Sequence, residues 1–310
     1  MTKFEFKAAD FIPFKDREEV QRVNKMTREE YTQHENPDFK INIVDNDMTG
    51  TIMVADMFKT IVQAREEGRN AVMIIPNPST TYRHLAWLIN KFKVDCSHVY
   101  TFNMDEWANE DGIICDESYP QSFIRSTKKF LLNEIDPELR MPEENLIYPT
   151  NENIDHYYEL MEDLGGADVC YSGPGWTGHL AFIEPDVPEF SSDLDTFIAQ
   201  RARITSLHPL TVAQNSLHGC FGYSGSLTEV PPMAATIGPY EVSKARRRIE
   251  IHGLTTAGTH VTWQRQISRL VLHGPVTPQV PSSILQIFGA DVYVTEELAR
   301  PIEPDWMFQY

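Results

Sequence analysis

Between residues 47 and 104 the apolar positions change period twice. From Asp47 onward Val54, Met57, Phe58, Ile61 and Val62 fall on one face of a helix, which Gly68 is placed to end. Ala71–Ile75 is then a short unbroken apolar run, the pattern of a strand buried on both faces. The alternation repeats: Pro78-Ser79-Thr80-Thr81 opens a helix carrying Leu85, Leu88 and Ile89, and His98–Met104 reads as the next strand. Further strands are expected at Ala167–Ser172, Ala234–Gly238, Ile249–Gly253 and Ala290–Val294, with a helix over Thr262–His273 that Gly274 stops. This spacing predicts an α/β fold: one open, mainly parallel, doubly wound sheet with helices on both faces, in a single domain. Upstream, Arg17, Glu18, Glu19, Arg22, Arg28, Glu29 and Glu30 suggest a solvated helical arm, Pro37 breaks it, and Phe39–Val44 alternates like a short strand. The expected division is an N-terminal arm over 1–40 and the α/β domain over 41–310.

Composition narrows the partners. The 310 residues carry 27 Lys+Arg against 45 Asp+Glu, a formal charge of -18. Phosphate backbones and anionic lipid repel such a chain, which argues against nucleic-acid and membrane-surface roles. No run reaches the roughly 18 apolar residues of a bilayer span. The first seven residues hold no apolar signal region, so a cytoplasmic protein is expected. Cys96, Cys115, Cys170 and Cys220 are widely scattered without metal-ligand spacing, which fits reduced thiols.

In open parallel sheets, ligands bind outside the carboxyl ends of the strands. The segments to inspect are therefore Pro76–Ser79, Asp105–Trp107, Gly173–Glu184 and Leu254–His260. Gly173-Pro-Gly175-Trp-Thr-Gly178 matches GxGxxG after an expected strand, but Pro185 and Pro188 stand against the long helix a dinucleotide site needs. The other reading is a Gly-rich turn whose backbone lies close to a ligand. His179 and Glu184 form a pair suited to proton transfer, or equally a core histidine with a structural partner. Asp105 and Glu106 are neighbours in extended chain, so only one can line a given pocket; either a general base or two solvated acids would fit.

Taken together these segments resemble a family. Phe102-Asn-Met-Asp105-Glu-Trp107 and Gly178-His179-Leu-Ala-Phe-Ile-Glu184-Pro185 are similar to the FNMDEY and DGHIAFNEP signatures of glucosamine-6-phosphate deaminase/isomerases. Gly274-Pro275-Val276-Thr277 through Val280-Pro281-Ser-Ser-Ile284-Leu285-Gln286 resembles their GPVTxxVPASILQ segment, and Pro78-Ser-Thr80-Thr81-Tyr82 their PxTTY. The resemblance spans about residues 40–300. The sister 6-phosphogluconolactonases share a GHxA core but typically follow it with SLFP. What the resemblance implies is ring opening by His179, oriented by Glu184. Asp105 then moves a proton from C2 to C1 through an enol-type intermediate, and ammonia leaves from C2. It implies no cofactor and no metal; His208, His218, His252, His260 and His273 also lack any i, i+4 pair.

The chain departs from the family at the phosphate site. Thr177 stands where the family has an aspartate, and Ile75-Pro76-Asn77 replaces a Gly-Gly-Thr loop. Leu217 stands at the family arginine after Asn215-Ser216, and Thr256 or Gln264 at its lysine. Arg83, Arg201, Arg203 and Arg265 are the cations able to compensate. Asn77, Ser79, Thr80, Gly173, Gly175, Thr177, Gly178 and Arg265 are the expected substrate contacts. The expectation is a homo-oligomeric enzyme acting on a small sugar or sugar phosphate. The alternatives are an isomerase of a non-phosphorylated or differently charged sugar, a lactonase in which His179 activates water, and a non-catalytic sugar-binding regulator.

Overall fold

Five consecutive apolar residues need cover on both faces, and Ala71–Ile75 has it: every residue of that strand is buried. The computed structural model describes residues 4–76, 79–253 and 262–303. Two short helices, α1 (Arg17–Asn24) and α2 (Arg28–Tyr31), precede strand β1 (Phe39–Val44). Then come α3 (Met48–Glu66), β2 (Ala71–Ile75), α4 (Tyr82–Phe92), β3 (Val99–Asn103), β4 (Asp105–Ala108) and α5 (Phe123–Phe130). The middle holds β5 (Leu146–Ile147), α6 (Tyr157–Asp163), β6 (Val169–Ser172), α7 (Leu194–Ile198), β7 (Arg203–Ser206) and α8 (Pro209–Ser216). The last third holds β8 (Met233–Thr236), α9 (Pro239–Lys244), β9 (Arg247–His252), α10 (Gln264–His273), α11 (Leu285–Phe288), β10 (Ala290–Thr295) and α12 (Glu296–Ala299).

Among the described residues, seven strands form a sheet in the order β1-β10-β9-β6-β2-β3-β5, and every pairing in it is parallel. From β2 the chain moves outward to β3 and β5. From β6 it moves the other way, to β9 and β10. The sheet therefore switches direction between β6 and β2, where a crevice opens at the carboxyl ends. Met57 and Ile61 of α3 and Leu85 and Ile89 of α4 cover Met73 and Ile75 on one face. Val72 and Ile74 face a second cluster with Phe102, Tyr157 and Leu270. Each such fully buried side chain contributes roughly 1.5–3 kcal/mol before conformational entropy is counted.

Two expectations are corrected. The strand expected at Ala234–Gly238 is not in the main sheet: β8 is the centre of a separate antiparallel sheet, β4-β8-β7. The strand expected to run through Met104 breaks there instead. Met104 donates to the Ile75 carbonyl of β2 while its own carbonyl accepts from Ile237, so the chain leaves one sheet and enters the other. The charged residues of the N-terminal arm face solvent as expected, but the arm is also docked. Val23 and Tyr31 are buried in the core, Tyr31 Oη lies 2.6 Å from Ser268 Oγ on α10, and Arg28 pairs with Glu296. Charged residues dominate the arm, and two apolar anchors suffice to dock it.

Tyr31→Phe removes one buried hydrogen bond of about 1 kcal/mol, and for a chain of this size it should lower Tm by about 2–4 °C. Thermal unfolding followed by circular dichroism measures this; an unchanged Tm would mean that Val23 alone holds the arm.

Candidate active site

The break at Met104 decides which way two adjacent acids face. On β4, successive side chains point to opposite sides. Glu106 turns inward to the start of α5. Its Oε1 accepts from the Trp107 and Phe123 amides at 3.0 and 2.9 Å, and its Oε2 from the Ile124 amide at 2.9 Å. A carboxylate there meets free amides and the positive end of the helix dipole. Burial still pushes Glu106 up to about 7, with the three amides opposing. Asp105 faces the other way. It is buried, and its Oδ1 has no hydrogen-bond partner among the described residues. Burial, then the charge of Glu106, raises its pKa well above the ordinary 3.8. Burial, and then the charge of Asp105, raises the pKa of the Tyr82 and Tyr157 phenols, and Asp105 itself follows the end of β3 at the sheet's carboxyl edge.

The second component follows β6. Gly173 emerges exposed at the strand end, with the Ile251 carbonyl 2.4 Å from where its Cβ would be. No helix follows; the loop turns back so that Gly178, at φ +77°, donates to the Gly175 carbonyl. A Cβ on Gly175 would lie 2.0 Å from His179 Nε2, so the imidazole lies directly against that glycine. The ring's other nitrogen, Nδ1, is 3.1 Å from Thr211 Oγ1 and 3.4 Å from Glu184 Oε1. Thr177 Oγ1 donates to Glu184 Oε2 at 3.1 Å and accepts from the His179 amide at 3.3 Å. Thr177, expected to touch substrate, is thus buried behind the histidine and orients Glu184.

The small sheet joins the two components. Thr236 of β8 is the register partner of Asp105, and its Oγ1 accepts from the Phe182 amide of the histidine loop at 3.1 Å. Phe182 packs on Trp107 and Phe123, two residues bonded to Glu106. Ser282 clamps the loop's far side, donating from its amide to Gly178 O and from its hydroxyl to His179 O.

Other expected contacts lie elsewhere. Asn77 is outside the described residues, as is the segment Leu254–His260. Ser79 and Thr80 precede α4, and their carbonyls accept from the Tyr82 and Arg83 amides. Arg265 donates to the Arg300 and Pro301 carbonyls, an engagement of its guanidinium at the far end of the chain. Three site residues are ones that sequence reading missed. Thr211 and Gln214 of α8 touch His179 and the Trp176 amide. His218, just beyond the helix, is lowered to about 4 by burial and by His179. Thr211, Gln214 and Asn215 repeat at helical spacing, and that polar stripe was the available signal, its burial being visible only in the fold.

The two acids separate experimentally. Glu106→Gln presents an amide donor to at least one backbone N–H and should lower stability by roughly 1–3 kcal/mol. Asp105→Asn removes a buried carboxyl whose folded pKa is raised. That group favours the fold below about pH 3.8 and loses this contribution as pH climbs through its folded pKa. The variant's Tm should therefore fall less steeply with pH than the parent's, and equal slopes in thermal melts would contradict this. Gly175→Ala should displace the imidazole at a cost of roughly 1–3 kcal/mol; unmoved His179 ring resonances in NMR spectra would refute the contact.

No family model matches the chain. Among curated proteins it is 29% identical over 227 residues to the glucosamine-6-phosphate deaminase of Lachnoclostridium phytofermentans, covering 70% of this chain and 84% of the relative. The protein of that name from Clostridium beijerinckii is 25% identical over 261 residues, covering 81% and 94%. A solved structure described as a monomeric glucosamine-6-phosphate deaminase, a missing link of the NagB superfamily, overlaps with a TM-score of 0.66. It is 22% identical and covers 84% of this chain and 99% of that one. The 6-phosphogluconolactonase of Plasmodium vivax overlaps at 0.57 with 16% identity, over 89% and 95%. At those identities the structures speak for the fold. In sequence the chain is similar to proteins named glucosamine-6-phosphate deaminase, and the stretches around Asp105 and His179 resemble that family's signatures.

Proposed function

We propose that this protein is a glucosamine-6-phosphate deaminase/isomerase-like enzyme of carbohydrate metabolism, in which Asp105 is the base and the His179–Glu184 pair opens the sugar ring. The observation that carries the reading is the bare Oδ1 of a buried carboxyl at the crevice, beside a neighbour fully committed to the fold. Glu106 spends both of its oxygens on backbone amides, while Asp105 keeps Oδ1 unbonded and follows directly on the carboxyl end of β3. A base held by burial above its ordinary pKa accepts a proton more readily near neutrality.

The residues supply each step. With Nδ1 held by Thr211 and Glu184, the imidazole presents Nε2 for proton exchange with the ring oxygen and the C1 hydroxyl, giving the open aldehyde. The carboxylate of Asp105 removes the C2 proton, and the C1 carbonyl takes up the electron pair as an enol. Return of the proton to C1 gives the ketose form; with an amino group on C2 the product is an iminium, which water hydrolyses with release of ammonia. The substrate's own carbonyl acidifies C2. The reading includes a cytoplasmic homo-oligomer, whose assembly light scattering would measure, although one solved relative is described as monomeric. No helix among the described residues is long and apolar enough to cross a membrane.

The test is exchange of the C2 hydrogen with deuterated water, followed by NMR on amino sugars with and without phosphate. The parent should exchange and Asp105→Asn should lose about 10²–10⁴-fold in rate. Exchange that survives the substitution removes Asp105 as base, and lactone hydrolysis without exchange replaces the reading with a hydrolytic one.

A further inference from the structure

A sugar phosphate is a dianion, and a site that holds one in water ordinarily supplies arginine, lysine or free helix amides. The four arginines near the altered segments are engaged elsewhere. Arg83 pairs with Glu134 at 3.2 Å and lies over the Phe130 ring. Arg201 pairs with Glu159 and lies over Tyr240. Arg203 donates to the Glu189 and Arg201 carbonyls, and Arg265 to those of Arg300 and Pro301. The first amides of α4, from Tyr82 to His84, already donate to Ser79, Thr80 and Thr81 carbonyls. The sequence at 77–78 and 254–261 holds no Lys or Arg. His218, which is affected by the charge of His179, is held neutral mainly by burial.

What borders the histidine loop is aromatic instead. Trp176, three residues before His179, meets Trp263 edge to face, with ring centroids 4.4 Å apart. The loop side of this pair is fixed, because the Trp176 amide donates to Gln214 Oε1 at 2.7 Å. Trp263 precedes α10 and is half exposed, at 50%, next to the buried Gln264 that stands at one of the lost cation positions. A half-exposed indole packed on the histidine loop suits the C–H face of a sugar, with binding energy drawn from apolar contact rather than charge.

We propose that the ligand of this site is a free hexosamine, without a phosphate, whose ring packs on the Trp176–Trp263 pair. This rests on the enolisation reading for its chemistry and on the indole pair for its substrate class. An uncharged C6 end is consistent with a protein of net charge -18, whose field opposes the approach of a dianion.

Titration calorimetry on the full chain compares glucosamine, glucosamine-6-phosphate and inorganic phosphate. Glucosamine should bind at least about tenfold more tightly than its 6-phosphate, and phosphate alone should give no heat, since each tenfold corresponds to about 1.4 kcal/mol. Trp263→Ala should weaken glucosamine about tenfold or more, with Trp263→Phe recovering part of the loss and both keeping the parent Tm. Tighter binding of the 6-phosphate, competition by inorganic phosphate, no measurable glucosamine binding, or an unchanged affinity in Trp263→Ala would each overturn the proposal. The C2 exchange experiment separates the two readings. Exchange with the phosphorylated sugar alone sinks the free-hexosamine proposal and keeps Asp105 as base; Trp263-dependent glucosamine binding with no exchange on any sugar does the reverse.

Discussion

The contact on which the site depends is the bonding of Glu106 to the first amides of α5. Three backbone donors converge on one carboxylate, so the side chain has one place to go. Because β4 is extended, fixing Glu106 also fixes its neighbour on the opposite side. Asp105 is thereby held on the opposite side with its Oδ1 unbonded among the described residues, a cost that folded proteins concentrate at functional sites. The pleat of a four-residue strand thus gives two adjacent acids opposite surroundings.

The small antiparallel sheet adds the second constraint. One threonine of β8 sits across from Asp105 and holds the histidine loop through the Phe182 amide. The loop is anchored again at Ser282 and, through His179 and Trp176, at α8. These anchors come from segments far apart in the chain, and together they fix the position of an imidazole carried on a loop. Catalytic geometry within a few tenths of an ångström requires such support.

Much of this was legible beforehand. The period changes around α3, β2 and α4 give the parallel sheet, because a strand covered on both faces and an amphipathic helix leave different patterns. The motif around Asp105 and that around His179 marked the two strand ends that meet. Of the small sheet, only β8 was legible as a strand, and its place in a second sheet was not: β4, β7 and β8 have four residues each, too few to display alternation. The roles of Thr177 and Thr236 were invisible for another reason. A hydroxyl that bonds a carboxylate or an amide looks in sequence like any surface threonine, and only the folded chain tells which it is. The arginines near the altered segments were misleading because charge in sequence says nothing of the carbonyls that absorb it.

The pleat of β4 has a consequence for how such a chain can change over evolutionary time. Side chains on a strand have a reading frame of two, and the insertion of one residue between Met104 and Asp105 would exchange the faces of the two acids. The anchor would then face the crevice and the bare carboxyl would face α5, so both fold and chemistry would fail at once. Point substitution can retune each acid separately, but length change at that strand is closed to the lineage. The segment between Glu184 and β7 carries no such frame, and growth in chain length can be absorbed there.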